Sequence, residues 1–260
     1  MFHFNGVLVN SFFLNQNLVH LKSMRNTLFI LSSFVFFSLS FAQQKTTVYL
    51  FPGQGADARL FGNIEIDTSV YDLHYFEYET PDKKETLQEY AYRFVSEIDT
   101  THDFILLGVS MGGMICTELC DTLKPKQTII ISSAKHRKEL PARYRFQRTI
   151  PLFRLFPKRA LLGGAKVMQP LVEPDRNKHK ETFKAMLDAK DPLYMKRSIG
   201  MIINWEKETF SEKIIHIHGT EDHTIPLRNV NADFVIETGS HMMTLTNSEP
   251  INAILVELLY

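Results

Sequence analysis

Apolar and polar positions follow two different periods along this chain. In residues 85–98, 111–123 and 248–259, apolar side chains recur at the three- and four-residue spacing of an amphipathic helix. Between these segments lie short, continuous apolar runs with the length of buried strands, at residues 46–51, 72–80, 104–109, 127–132, 213–218 and 232–238. Such runs separated by helices predict an α/β fold, with a mostly parallel sheet covered by helices on both faces.

Residues 137–208 interrupt this alternation. They contain no good strand pattern but several helical stretches rich in Phe, Leu, Met and Arg. An insertion on the side where parallel strands end would lie over the carboxyl edge of the sheet, where ligands of open α/β sheets bind. We therefore predict a helical cap at 137–208, inserted into a core made of residues 43–136 and 209–260.

The N-terminal segment has the pattern of an export signal. Two basic residues, Lys22 and Arg25, precede an uncharged apolar run of 14 residues. A membrane anchor is the less favoured alternative, because a spanning helix needs about 20 apolar residues. Small residues before Gln43 favour cleavage after Ala42, so residues 1–42 are expected to be a leader whose true start is Met24. The mature protein is then expected in the periplasm or outside the cell.

Composition sets limits on the partners. With 44% apolar and 22% charged residues, the 260-residue chain is an ordinary globular protein. Its 29 basic and 29 acidic residues cancel, which does not indicate a nucleic-acid partner.

The charge is nevertheless uneven along the chain. Residues 137–208 hold 17 Lys or Arg against 8 Asp or Glu. A solvated helix surface would explain this excess. Alternatively, Arg143, Arg145 and Arg148 ring an apolar entrance and attract an anionic substrate or an anionic membrane surface. Seven apolar residues of this segment suggest an apolar acyl pocket, with packing inside the cap as the alternative: Phe146, Leu152, Phe153, Leu155, Phe156, Leu161 and Leu162.

Cysteine and histidine spacing gives little support for a disulfide, a metal or a cofactor. Cys116 and Cys120 lie one helical turn apart, which is poor geometry for a disulfide and lacks the histidine spacing of a zinc site. His216 and His218 alternate with isoleucines and should face the same side of a strand. A metal pair there is the less favoured interpretation, because no third ligand lies nearby.

A single serine lies between glycines where the apolar run 104–109 ends. Gly108 comes two residues before Ser110, and Gly112 comes two residues after it. A nucleophilic serine must be held on a tight strand-to-helix turn, and small neighbours leave room for the strand and helix to approach. A bystander serine in a glycine-rich turn is the alternative.

Two later loops offer a base and an acid for this serine. Asp222 follows the run 213–218, and His241 follows the run 232–238. Loops at the carboxyl ends of parallel strands meet at one edge of the sheet, so these side chains can reach Ser110. Glu221 is the rival acid and His223 the rival base.

Taken together, four short motifs resemble those of the α/β-hydrolase superfamily, in particular its small cap-bearing serine esterases. They are the loop "PGQG" after the first strand, "GVSMGG", "GTEDHTIP" and "GSHMM", and the resemblance spans residues 46–259. It implies Ser110 as nucleophile, Asp222 as acid and His241 as base, with the backbone N–H groups of Gln54 and Met111 forming the oxyanion hole. Many members have His where this chain has Pro52, but backbone donors do not depend on that side chain.

The expected function is that of an exported serine hydrolase that cleaves a small-molecule carboxylic ester or thioester through an acyl-enzyme, without a cofactor. Acyl transfer on the same triad is an alternative, and a non-catalytic binding protein is another. Dehalogenases and epoxide hydrolases of this fold use a carboxylate nucleophile, so Ser110 argues against them. Trp205 either lines the substrate pocket or, more commonly for a lone cap tryptophan, packs the cap.

Overall fold

The computed structural model describes residues 44–160, 163–164 and 174–260. The predicted leader and its cleavage site lie outside these residues and stay predictions. Within the described part of the chain, no helix is long and apolar enough to cross a membrane.

Six strands form one sheet, and every neighbouring pair is parallel. In chain order the strands are β1 (Thr46–Phe51), β2 (Tyr71–Tyr75), β3 (Phe104–Val109), β4 (Gln127–Ile131), β5 (Ile214–Gly219) and β6 (Phe234–Ile236). Their order across the sheet is β2-β1-β3-β4-β5-β6.

Helices connect these strands over the described residues. They are α1 (Leu87–Tyr92), α2 (Met111–Leu123), α3 (Ala142–Thr149), α4 (Lys180–Asp188), α5 (Pro192–Ile203), α6 (Met243–Thr246) and α7 (Glu249–Leu259). Shorter 3₁₀ turns cover Ala58–Phe61, Arg93–Glu97, Arg137–Glu139, Leu152–Leu155, Arg176–His179 and Leu227–Asn229.

Three predicted elements are shorter in the structure than expected, and one of them is the strand predicted at 232–238, which covers only Phe234–Ile236. The helix expected at 85–98 begins after Thr86, whose side chain forms a capping box with Glu89, and it tightens into a 3₁₀ turn from Arg93. The strand expected at 72–80 ends at Tyr75. Among the described residues it pairs with β1 alone, and β1 ends at Phe51, so the ladder of hydrogen bonds stops there.

Hydrophobic cores lie on both faces of the sheet. Because successive side chains of a strand point to opposite faces, Tyr49 and Phe51 join the cluster beneath α1 and α2, whereas Val48 and Leu50 join the cluster that contains α7. The structure therefore confirms the predicted parallel sheet with helices on both faces.

The segment 137–208 leaves the sheet after β4 and returns at its neighbour β5, and its described part is helical. Trp205 connects the C-terminal end of this segment to α2, because its buried indole Nε1–H donates to Glu118 Oε1 at 2.6 Å. Lys207 Nζ reinforces this junction at 2.8 Å from Asp121 Oδ2. Trp205 thus packs between segment 137–208 and the core and is not among the residues that line the cavity described below.

The turn from β3 into α2 is strained at Ser110. This residue has φ 53° and ψ −119°, a region that costs a non-glycine residue about 1–3 kcal/mol. Its backbone N–H donates to Ile131 O at 3.0 Å, and Ser133 Oγ donates to Ser110 O at 2.6 Å. Neighbouring β4 and the loop after it therefore hold the strained residue in place.

Two glycines make this turn possible. A methyl group on Gly108 would overlap the backbone of Gly112, and one on Gly112 would overlap the carbonyl group of Phe51. The contacts are between backbone atoms, so no side-chain movement could relieve the overlap.

Gly112→Ala is expected to lower the free energy of unfolding by more than about 3 kcal/mol, because β1 and α2 would be forced apart. Gly200→Ala is the matched control, since Gly200 is also a helical glycine but its added methyl group would meet only Phe153 at 3.5 Å. There the helix propensity of Ala should leave stability unchanged or raise it by up to about 1 kcal/mol. Urea unfolding of both variants checks this, and equal effects would contradict it.

Candidate active site

Three loops at the carboxyl ends of β3, β5 and β6 bring a serine, an aspartate and a histidine into one chain of hydrogen bonds. His241 Nε2 lies 2.8 Å from Ser110 Oγ, and His241 Nδ1 lies 2.8 Å from Asp222 Oδ2. The three residues come from distant parts of the sequence, and all three were singled out by sequence.

The surroundings of Asp222 fix the orientation of the imidazole ring. Asp222 is 1% exposed, and its Oδ1 accepts the backbone N–H groups of Thr224 at 2.8 Å and Ile225 at 2.7 Å. Since the carboxylate is an acceptor, His241 carries its proton on Nδ1. The lone pair of Nε2 then faces the hydroxyl group of Ser110, as a general base requires.

The rival residues lie elsewhere. Glu221 and His223 are both exposed, and the two side chains contact each other, with Glu221 Oε2 3.5 Å from His223 Nε2. The acid that reaches His241 in this structure is Asp222.

The loop Pro52–Gly55 passes beside Ser110 and is anchored from two sides. Tyr78 Oη donates to Pro52 O at 2.8 Å, and Gln54 Nε2 donates to Ser198 Oγ of α5 at 2.8 Å. Met111 opens α2, so its backbone N–H has no acceptor within the helix. The anchoring by Tyr78 and Ser198 is not visible in the sequence, because both partners are remote from the loop.

A cavity of about 350 Å³ opens onto Ser110 and His241, within the size range of small-molecule sites. Its apolar lining comes mainly from segment 137–208: Leu140, Tyr144, Phe183, Met186, Leu187, Met195 and Ile202, facing Met114, Ile225 and Met242 of the core.

The described apolar residues between 146 and 160 that were expected to form an acyl pocket do not line this cavity. Phe153 is buried, whereas Phe146, Leu152, Leu155 and Phe156 are exposed. Residues 161 and 162 lie outside the described part. Much of the apolar lining comes instead from the inward faces of α4 and α5. The helical periodicity of these two segments was the sequence signal from which these faces could have been predicted.

Among the described residues that line the cavity, Arg143 is the one permanently charged cation. Arg143 Nη2 donates to the backbone carbonyl of Thr224, and the guanidinium lies 5.2 Å from the centre of the Tyr144 ring. Neither contact neutralises its charge.

The other two candidate arginines do not line the cavity. Arg145 Nη1 donates to Lys138 O at 3.2 Å, and Arg148 Nη2 lies 2.7 Å from Glu206 Oε1. On an 8-residue helix, three arginines at positions 143, 145 and 148 cannot all face one opening. Only Arg143 has the position that the sequence hypothesis requires.

His216 and His218 are fully buried behind Asp222. His218 Nε2 lies 2.7 Å from Ile225 O and 3.4 Å from Asp222 Oδ2, and His216 Nε2 lies 3.0 Å from His218 Nδ1. Burial lowers the pKa of both imidazoles, and that of His216 falls well below its usual range. Within the described residues, no cluster of His, Cys, Asp or Glu is suited to a metal ion.

No protein-family model matches this chain, and a search of curated proteins finds no match either. Solved structures do match. A thermophilic esterase from Thermogutta terrifontis has a TM-score of 0.63 at 14% identity, covering 83% of this chain and 90% of the esterase. An enol-lactonase from Burkholderia xenovorans has a TM-score of 0.64 at 13% identity, with 85% and 93% covered. MenH from S. aureus has a TM-score of 0.61 at 12% identity, with 84% and 95% covered.

These likenesses, together with the parallel sheet and the serine turn, show that the chain has the fold of the α/β-hydrolase superfamily, as the sequence resemblance predicts. Because one fold hosts many activities, the function must be argued from the site itself.

Proposed function

We propose that this protein is an exported serine hydrolase that cleaves a carboxylic ester through an acyl-enzyme, with Ser110 as nucleophile, His241 as base and Asp222 as acid. The observation that carries the proposal is the continuous hydrogen-bonded chain from Ser110 Oγ through both nitrogens of His241 to Asp222, at the mouth of an apolar cavity. A strained serine backbone supports it, because such strain persists mainly where function uses it.

In this proposal, His241 Nε2 takes the proton of the Ser110 hydroxyl group as the oxygen attacks the ester carbonyl. Asp222 holds the ring and stabilises the imidazolium that forms. The backbone N–H groups of Met111 and Gln54 donate to the developing oxyanion, where losing one donor typically costs about 3–4 kcal/mol. His241 then protonates the leaving alcohol, and water releases the acyl group by the reverse sequence of proton transfers.

The site needs no metal or cofactor for these steps. Transfer of the acyl group to an acceptor other than water would use the same residues. The esterase and the lactonase among the structural neighbours support hydrolysis, since a lactone is a cyclic ester. A purely binding protein would have no use for a base hydrogen-bonded to a strained serine.

Ser110→Ala is expected to lower turnover of a short-chain acyl ester by more than about a hundredfold, because the nucleophile is lost. The fold should be kept, since the turn needs a small side chain and not a hydroxyl group. A fluorophosphonate probe should label the unmodified protein and not the variant. Absence of labelling in a folded, unmodified protein would favour the binding-protein alternative.

The acid assignment gives a second test with a matched control. Asp222→Asn should lower kcat by about a thousandfold or more, because the amide favours the wrong tautomer of His241. Glu221→Gln removes the adjacent charge, which is exposed and screened, and should change kcat by less than about threefold. Steady-state kinetics on both variants checks this, and the reverse ranking would contradict the assignment.

We further propose that the preferred ester carries a negative charge, which Arg143 attracts. Its guanidinium lines the cavity, donates to the backbone carbonyls of His223 and Thr224, and lies 5.2 Å from the centre of the Tyr144 ring. A cation at this position attracts an anionic substrate, and because Arg143 is exposed, the attraction weakens as salt rises.

Arg143→Gln should therefore lower kcat/KM for an anionic ester by about tenfold or more, and it should flatten the decline of kcat/KM between roughly 10 and 500 mM salt. Arg145→Gln is the matched control, because it removes the same charge two residues away on the same helix but outside the cavity. A neutral ester of equal chain length reports any damage to the Thr224 loop. Equal losses for both esters, or for both variants, would contradict a charge preference.

A further inference from the structure

Two buried imidazoles lie behind the acid, on the side away from the serine, and the mechanism above does not use them. His218 contacts the loop that carries Asp222, and His216 contacts His218. Both side chains are fully buried. Because buried polar atoms need hydrogen-bond partners, the partners of each ring nitrogen show where its proton lies.

The donors and acceptors around the two rings fix the tautomers of His218 and His216. His218 Nε2 faces two acceptors, the carbonyl oxygen of Ile225 at 2.7 Å and Asp222 Oδ2 at 3.4 Å, so this nitrogen carries the proton. In a neutral ring Nδ1 is then an acceptor. Its neighbour at 3.0 Å is His216 Nε2, which must therefore be protonated. His216 Nδ1 is left without a proton, in agreement with its having no hydrogen-bond partner.

Burial keeps the pair neutral, because it lowers the pKa of both imidazoles and outweighs the carboxylate of Asp222, which favours the charged form of His218. Lys135 Nζ lies 3.5 Å from Asp233 Oδ2, and this carboxylate accepts the backbone N–H of His216 at 2.7 Å. On the other side, Asp222 faces His218 and is already paired with His241. A proton added to His218 Nδ1 would put a second donor against His216 Nε2.

Ile225 connects His218 to the acid. Its carbonyl group accepts the N–H of His218, and its own N–H donates to Asp222 Oδ1 at 2.7 Å. In the loop that follows β5, Ile225 is therefore hydrogen-bonded to His218 through its carbonyl group and to Asp222 through its N–H. Ile225 also lines the cavity. Without His218, the carbonyl group of Ile225 would lose its buried donor and the loop could relax away from Asp222.

We propose that His218 is a positioning residue for the acid of the triad. Its Nε2–H, in the tautomer fixed by the acceptors that face it, holds Ile225 and thereby the carboxylate of Asp222. This inference rests on the proposed hydrolase function. It adds that the working unit has five side chains, Ser110, His241, Asp222, His218 and His216, and that the neutral rings of the last two orient the acid without taking its proton.

The test compares His218→Leu with His218→Gln, alone and in the Asp222→Asn background. His218→Leu should lower kcat for a neutral ester by about tenfold to a hundredfold, as a small displacement of a catalytic group does. His218→Gln should stay within about threefold of the unmodified protein, because its amide N–H can still donate to Ile225. In the Asp222→Asn background, His218→Leu should cause less than about a twofold further loss, since the carboxylate that it positions is gone.

A full, additive loss in the Asp222→Asn background would overturn the proposal and leave His218 as a general packing residue. Normal activity of His218→Leu would overturn it as well. Failure of the hydrolase function is distinguished by Ser110→Ala, because retained activity in that variant rejects the triad whatever the His218 variants do.

The unmodified protein provides a test that does not depend on folding of the variants. Nitrogen NMR shifts at pH 7 should show His218 as the neutral ring with its proton on Nε2. A proton on Nδ1, or a doubly protonated ring, would contradict the assignment.

Discussion

The close approach of β1, β3 and α2 around Ser110 is the constraint on which the rest of the site depends. The backbones are so near that only glycine fits at positions 108 and 112. This approach forces the serine into its positive-φ conformation and points its hydroxyl group at His241. It also places the first N–H of α2 beside the serine, where the positive end of the helix dipole favours a developing oxyanion.

A second set of contacts couples segment 137–208 to the catalytic loops. The side chain of Gln54 leaves its own loop to donate to Ser198 in α5, and Trp205 just beyond this helix donates to the buried carboxylate of Glu118. The loop Pro52–Gly55 and the wall of the cavity are thus parts of one hydrogen-bonded assembly. A movement of α5 would change the position of the Gln54 N–H as well as the shape of the cavity.

The electrostatic design of the site follows from burial. Asp222 is almost completely removed from water, yet its carboxylate has two backbone donors on one oxygen and His241 on the other. Hydrogen bonds of this kind compensate the lost hydration of an anion. In our proposal, the neutral rings of His216 and His218 maintain these contacts from the side away from Ser110. Arg143 is then a cation at the cavity to which an anionic substrate is attracted.

The sequence was sufficient to predict the sheet, the helices on its faces and the three side chains that meet at the carboxyl edge. It could do so because strand and helix periodicity are local, and because the glycines around Ser110 have a local steric reason. The bounds of β2 and of the helix after Thr86 were less well predicted, since they depend on where β1 ends and on a cap. The folded chain was needed to show which residues of segment 137–208 line the cavity, which of three arginines reaches it, and what the two strand histidines contact. Each of these depends on distances between segments far apart in the chain, and periodicity within a segment carries no information about its partner.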